Sequence, residues 1–372
     1  MKKVLLLTLC LVMMICLLAG CSKEVTVDTT GLVNIKSSGE PITKTKESYT
    51  AVLTADQYYA LPKTITVTMD GVAITEGYVY NPTTGEVMIS EEAVTGNIAI
   101  SAKADCIPVS VYTQNLYRIS TDGSAEGLTM TDYTATLTPE GGYLLPEEVS
   151  VVVDGKALES GYTYDPATGS LTISGKNITG NVEISAKATA EIVGIWIATL
   201  NYDTILNDAY AMDPTMAQFA KFEGLNLIMR YEFREDETIS ITLDDASFQV
   251  FQERIKVQMK DFVIQFMKYL LELQGIDGDL EDYLAESGVD LDILIEQELG
   301  AAFSEEVFAE MERDGFYRLS EGYLYVLEEL DDKLEKDGGL DYKLEGDTLT
   351  IGSEETDPDL AYTFPLELKK VQ

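Results

Sequence analysis

Polar and apolar residues alternate strictly along Thr64-Ile65-Thr66-Val67-Thr68-Met69, the period of a strand with one buried face. Asp70-Gly71 follows as a turn. Tyr78-Val79-Tyr80 then meets Asn81-Pro82-Thr83-Thr84-Gly85, and Glu86-Val87-Met88-Ile89 leaves it: strand, Pro/Gly turn, strand, which predicts a hairpin. The pattern occurs twice. Tyr49 to Ala104 aligns with Tyr133 to Ala188 at a constant shift of 84 positions, without gaps. Leu61-Pro62, Asp70-Gly71, Gly77-Tyr78, Gly85, Thr95-Gly96-Asn97 and Ser101-Ala102-Lys103-Ala104 all recur in the second copy. Upstream the match weakens but continues, with Val27, Thr29, Leu32, Ile35 and Gly39 facing Val111, Thr113, Leu116, Ile119 and Gly123. A unit of this size exceeds those of solenoids, so each copy is expected to bury its own core.

Near Ala190 the turn-rich composition ends. Strands are predicted at Ile192–Leu200, Asn226–Phe233 and Thr238–Leu243, with one or two short helices between Tyr202 and Phe222. The period then changes. Phe248, Phe251, Ile255, Met259, Phe262, Phe266, Leu270 and Leu273 recur at steps of three and four, one face of a long helix. Asp244 or Asp245 stands near its start and Gly275 just past its end. Shorter helices are predicted at Leu280–Ala285, Leu291–Leu299 and Glu305–Arg313. Strands return at Phe316–Leu319, Tyr323–Leu327, Tyr342–Leu344, Thr348–Ile351 and Tyr362–Leu368. About eight strands result, with a helical insertion after the third.

At the N-terminus, Lys2 and Lys3 precede an almost unbroken apolar run, Val4 to Leu18, closed by Leu18-Ala19-Gly20-Cys21. The run has the length of a signal-peptide core and is short for a membrane-spanning helix. It resembles the signal peptide and lipobox of bacterial lipoproteins. That resemblance implies cleavage before Cys21, diacylation of its thiol, and a chain held by lipid on the extracytoplasmic face of the cell membrane. The two copies, through the G-Y-x-Y-[ND]-P-x-T-G run present in both, resemble the Tyr/Gly/Pro-rich Ig-like repeats of Firmicutes surface proteins. In that family the repeats act mostly as spacers and display modules. The β-grasp topology of internalin-type B repeats is the neighbouring alternative. Gly194-x-Trp196 on the first strand of the second half resembles the G-x-W of lipocalin-like (calycin) barrels, where the Trp closes one end. Long helices inside a loop depart from that family.

The expected organisation is multi-domain and mainly β. Residues 1–20 are a signal peptide, 21–105 and 106–189 two small β-sandwich (Ig-like or β-grasp) repeats. Residues 190–372 are an α+β lipocalin-like barrel with an insertion at about 245–313, expected to fold by itself.

Charge and composition narrow the function. The net charge is -38, with no His. From Ala190 onward 43 acids face 14 bases, so most of the excess lies in the second half. Such a surface repels nucleic acid and anionic headgroups. Of four Cys, Cys10 and Cys16 leave with a signal peptide and Cys21 takes lipid. Cys106 alone remains, so no intramolecular disulfide is expected and the exported chain must fold on its core.

Without His, Ser-His-Asp and Cys-His catalysis and imidazole zinc sites are excluded. Cys106 has no base nearby in sequence. Asp277, Asp279, Glu281 and Asp282 resemble a calcium loop only briefly: its sixth place needs Gly and its twelfth an acid, and Asp282 and Gly288 stand there. Tyr58, Tyr59, Tyr78, Tyr80, Tyr143, Tyr162 and Tyr164 offer aromatic surface to carbohydrate, but their placement beside Pro and Gly turns favours a packing role. The sequence thus predicts no catalysis, metal or cofactor. It predicts a surface lipoprotein whose repeats support a C-terminal binding domain for an envelope or extracellular protein, carbohydrate or lipid. The alternative is a lipocalin-like carrier of an apolar small molecule or lipid.

Overall fold

The computed structural model describes residues 22–276, 280–288, 290–303, 305–309, 311–329, 332–334, 338–352 and 365–371. The segment read as a signal peptide, Cys21, Asp277, Asp279, Glu354 and Glu355 lie outside the described residues. The chain divides into two compact units. The first takes in the chain up to Tyr117, Thr121–Leu137 and Glu147–Ala186; the second takes in Arg118–Ser120, Thr138–Pro146 and the chain from Lys187 onward.

In the first copy, one sheet has the order Ile42–Lys44, Glu24–Asp28, Ile98–Lys103, Thr66–Met69, Val72–Ile74, and another the order Ile35–Ser37, Tyr49–Ala55, Glu86–Ile89, Tyr78–Tyr80. The alternation seen in sequence supplies their inner faces. Val25, Val67, Ile98 and Ile100 meet Tyr49, Leu53, Val87 and Ile89 in one core. The second copy repeats both sheet orders, Glu126–Leu128, Pro108–Tyr117, Val182–Lys187, Ser150–Val153, Lys156–Ala157 and Ile119–Thr121, Tyr133–Pro139, Ser170–Ile173, Tyr162–Asp165. Neither copy contains an α-helix among its described residues.

The duplicated residues hold turns. Asp70 and Gly71 both have positive φ, as do Asp154 and Gly155, the geometry of a two-residue hairpin turn matched to strand twist. Asp70 Oδ1 accepts the Asn97 N–H at 2.9 Å, and Asn97 Oδ1 accepts the Thr26 N–H at 3.0 Å. A Cβ on Gly85 would stand 2.0 Å from the Leu53 carbonyl oxygen, and its φ is +75°, so the final Gly of the shared motif is fixed by backbone approach.

The second unit contains a closed antiparallel barrel of eight strands: Gly194–Asn201, Asn226–Phe233, Thr238–Leu243, Arg313–Ser320, Tyr323–Leu327, Leu340–Glu345, Thr348–Ile351 and Leu366–Lys370. Each strand pairs with the next, and the last returns to the first through Trp196↔Lys370 and Ala198↔Leu368. This matches the barrel expected from G-x-W and the strand count. Between the third and fourth strands lie helices Asp245–Leu273, Leu280–Ser287, Leu291–Ala302 and Glu305–Ala309. The last was expected to reach Arg313; instead Arg313 begins a strand, pairing with Ile241. Helix Tyr202–Ala211 follows the first strand.

Two short segments of the second copy belong to this unit, so its boundary does not coincide with Ala190. Tyr143–Leu144 pairs antiparallel with Thr189–Ala190. The equivalent pairing exists 84 residues earlier, between Tyr59–Ala60 and Asp105–Cys106.

Candidate functional site

Three places in the second unit bring chemically distinct side chains together: the barrel interior, one barrel end, and the helical insertion. The interior is packed. Trp196, Ala198, Met229, Phe233, Ile239, Tyr317, Leu319, Leu349 and Leu368 are each at most 1% exposed; a lumen able to admit water would register as exposed surface on these side chains. Trp196 Nε1 donates to the Ile192 carbonyl at 2.7 Å, and Lys370 Nζ stands 5.2 Å from its ring centroid. The indole is therefore hydrogen-bonded and stacked, as a closing residue must be.

At the same end a buried charge is matched. Glu237, in the turn between the second and third strands, is 3% exposed. Arg118 donates to both of its oxygens, Nε to Oε1 at 3.0 Å and Nη2 to Oε2 at 3.2 Å, and Tyr143 Oη donates to Oε1 at 3.2 Å. The Arg118 guanidinium also reaches Glu140 at 3.3 Å and lies over the Tyr143 ring. The bidentate fork explains why a carboxylate is tolerated here. Burial pushes the Tyr143 hydroxyl up to about 12. Burial also raises Tyr317 and Tyr342, whose hydroxyls bond the Arg234 carbonyl and the Glu191 carboxylate. This cluster has acid, base and phenol together, but every bond runs to protein. It is a joint between strands and the second copy's turn. Sequence reasoning did not single out Arg118 or Glu237. A signal existed in the repeat itself, because Arg118 stands where the first copy has Asn34, at the same left-handed φ of 58° against 57°.

The barrel's other end is covered by helices. Leu200 and Leu243, from strand ends, pack with Phe222, Leu227, Phe248, Phe251 and Phe308 in one cluster. Local chemistry fixes the cover. Asp244 caps the long helix, accepting the Ser247 N–H at 2.8 Å. Asn207 holds the backbone of Phe222 by both amide atoms, at 2.9 and 3.0 Å. The Asp203 carboxylate accepts the Gly224 and Leu225 N–H groups.

Within this cover lies a cavity of about 330 Å³, at the lower end of small-molecule pockets. Leu206 and Tyr210 come from the short helix, Met259 and Val263 from the long one, Leu294, Ile295 and Leu299 from the third, and Phe303 from the residue that caps it. Among the described residues no charged side chain lines it. The one hydroxyl on its wall among the described residues, Tyr210 Oη, reaches Met259 Sδ at 3.9 Å, a weak acceptor, and burial raises its pKa. The arrangement can take an apolar body and offer one donor. Outside it, Lys260–Asp292 and Lys256–Glu296 join the long and third helices at the surface.

The remaining sequence candidates have structural roles. Tyr78, Tyr80 and Tyr162 donate to the carbonyls of Ile65, Pro62 and Val149, at 3.2, 3.0 and 2.9 Å, tying the hairpin to the Pro corner. Cys106 is half-buried beside the Thr131 hydroxyl. Among the described residues no three acidic or cysteine side chains are placed to hold a metal ion, and no helix is long and apolar enough to cross a membrane. In comparisons with known proteins, no family model and no curated protein matches this chain.

Proposed function

We propose that this chain is a lipid-anchored extracytoplasmic binding protein, held by acyl chains on Cys21, with two Ig-like β units supporting a C-terminal lipocalin-like domain. The lipobox pattern supports the anchor and the address. The observation that carries the binding role is the cavity among the helices, lined by Leu206, Met259, Val263, Ile295 and Leu299. In this reading the ligand is an apolar small molecule or acyl chain, seated in the insertion and oriented by the Tyr210 hydroxyl. The packed interior argues against a lumen carrier; the helical cover replaces the open cup of that family. Proteins of the envelope remain outside partners, met by the exposed helix faces, and the acidic surface disfavours nucleic acid.

A fluorescent polyene fatty acid, titrated against the full chain, tests this. One saturable site is expected. Leu299→Trp, which fills the cavity, should weaken binding at least about tenfold, whereas Met212→Trp, at a position 79% exposed, should leave it unchanged. Equal binding by all three proteins, or none by the parent, would defeat the reading.

A further inference from the structure

One pairing in the first copy is unlike the rest. The segment that enters the copy runs beside the strand that leaves it, in the same direction. Glu24–Asp28 pairs parallel with Ile98–Lys103 through Val27↔Ile98 and Asp28↔Ala99. Leu32–Val33 continues the line through Ala102↔Leu32 and Lys103↔Val33. Every other strand pair of this copy is antiparallel. A parallel pair is slightly less stable per residue, so folding alone gives no preference for it. Side chain and backbone both reinforce the line. Asn97 Oδ1 accepts the Thr26 N–H just ahead of the ladder. Beyond it, the Gly31 and Val33 carbonyls accept the N–H groups of Ala102 and Ala104 at 3.2 and 3.0 Å. A Cβ on Gly31 would stand 2.7 Å from Ser101 Cβ, so glycine permits this approach. In the second copy the entering strand Pro108–Tyr117 again neighbours the leaving strand Val182–Lys187, and Asn181 Oδ1 accepts the Ser110 N–H at 2.9 Å.

The direction of a pull decides what such a pair does. With entry and exit strands parallel, the chain comes in at one end of the pair and goes out at the opposite end. Tension along the chain then acts along both strands and strains their hydrogen bonds together. The leaving strand is also held on its other side by four pairs with Thr66–Met69, so it cannot slip alone. The barrel is built the other way. Gly194–Asn201 and Leu366–Lys370 are antiparallel, and the Val371 N–H donates to the Ile195 carbonyl at 2.8 Å. Its two ends therefore lie side by side, and tension on them parts the strands one bond at a time. We infer that the β copies are tension-bearing links, closed by the shared strain of their entry and exit strands, and that the barrel yields first when pulled by its ends. Cys106 is the one cysteine among the described residues and is free, so this geometry, without a cross-link, holds each copy shut. Such links give a mechanical content to the supporting role proposed above for the β units. They require neither the lipid at Cys21 nor a ligand in the cavity.

The test pulls single molecules of the full chain, with Cys10, Cys16, Cys21 and Cys106 replaced by Ser, through handles on new cysteines at exposed positions. Lys23→Cys with Lys103→Cys loads the parallel pair along its strands. Lys23→Cys with Thr95→Cys loads the same pair across its N-terminal ends, so the same hydrogen bonds open in turn. Forced opening reads the unfolding barrier. At equal loading rate the first geometry should need a force at least about twofold higher, because two or more registered pairs must part together. Release of up to about 280 Å of chain, the extended span between its handles, identifies the event. Equal forces in the two geometries, or the larger force across the ends, would overturn the assignment. With handles on Lys23→Cys and Val371→Cys, the barrel should open before either copy, the longer release coming at the lower force. A copy that opens first would equally overturn it. No acyl chain or ligand takes part in these measurements, so a failure here would leave the anchor and the cavity untouched.

Discussion

Arg118 and Glu237 show how one residue can decide a joint. Removing one partner of a buried ion pair leaves the other uncompensated, at about 3–5 kcal/mol. Arg118→Ala should therefore lower the free energy of unfolding extrapolated from urea by about that amount, and Arg118→Lys should recover only part of it, since an ammonium cannot fork. Asn34→Ala, at the equivalent site of the first copy, should cost little more than its left-handed φ. Gly142 belongs to the same joint: a Cβ there would stand 2.4 Å from Tyr342 Oη and 3.0 Å from Leu319 Cβ, whereas the first copy carries Tyr58. The phenols add a pH dependence. Tyr143 and Tyr231 are both pushed up to about 12 by burial. Between pH 10 and 12 the unfolded chain has released these protons and the folded chain has not. The folded state binds more protons there, so stability falls as pH rises. Thermal melting across that window should show the loss, with the phenolate absorbance of Tyr143 and Tyr231 appearing only as the fold opens. A melting temperature flat through this range would contradict it.

Elements with a strong local period were legible. The step of three and four from Phe248 to Leu273 gave the long helix; of the two acids expected near its start Asp244 is the cap, and Gly275 follows its end at φ 65°. Asp244→Ala should cost about 1 kcal/mol through the lost cap, readable by chemical denaturation. The Asp-Gly and Pro/Gly turns were legible for the same reason, since positive φ selects its residues. Short acidic helices were less so. Glu305 to Arg313 reads as one helix by composition, but strand pairing with Ile241 claims Arg313, a choice made by a partner 72 positions away. The cavity was not legible at all. Leu206, Met259 and Leu299 look like ordinary core positions, and only the arrangement of three helices leaves space between them. The packed barrel interior was equally hidden, because G-x-W marks one closed end and says nothing of the other.

At the scale of the whole molecule, duplication offers its own control. Positions that agree between copies hold turns and cores; two that differ, Arg118 and Gly142, belong to the joint around Glu237. One consequence concerns modularity. The second unit includes Arg118–Ser120 and Thr138–Pro146, so a fragment of residues 190–372 lacks the guanidinium that faces Glu237 and the strand paired with Thr189–Ala190. It should unfold at lower urea than a fragment of residues 108–372; equal midpoints would show the joint to be dispensable. Everything proposed for this chain's position depends on acylation at Cys21. Metabolic labelling with radioactive palmitate measures it directly. The account predicts label in the membrane fraction of the parent chain and none on Cys21→Ser; equal labelling of both, or recovery of the unlabelled parent from the cytosol, would contradict it.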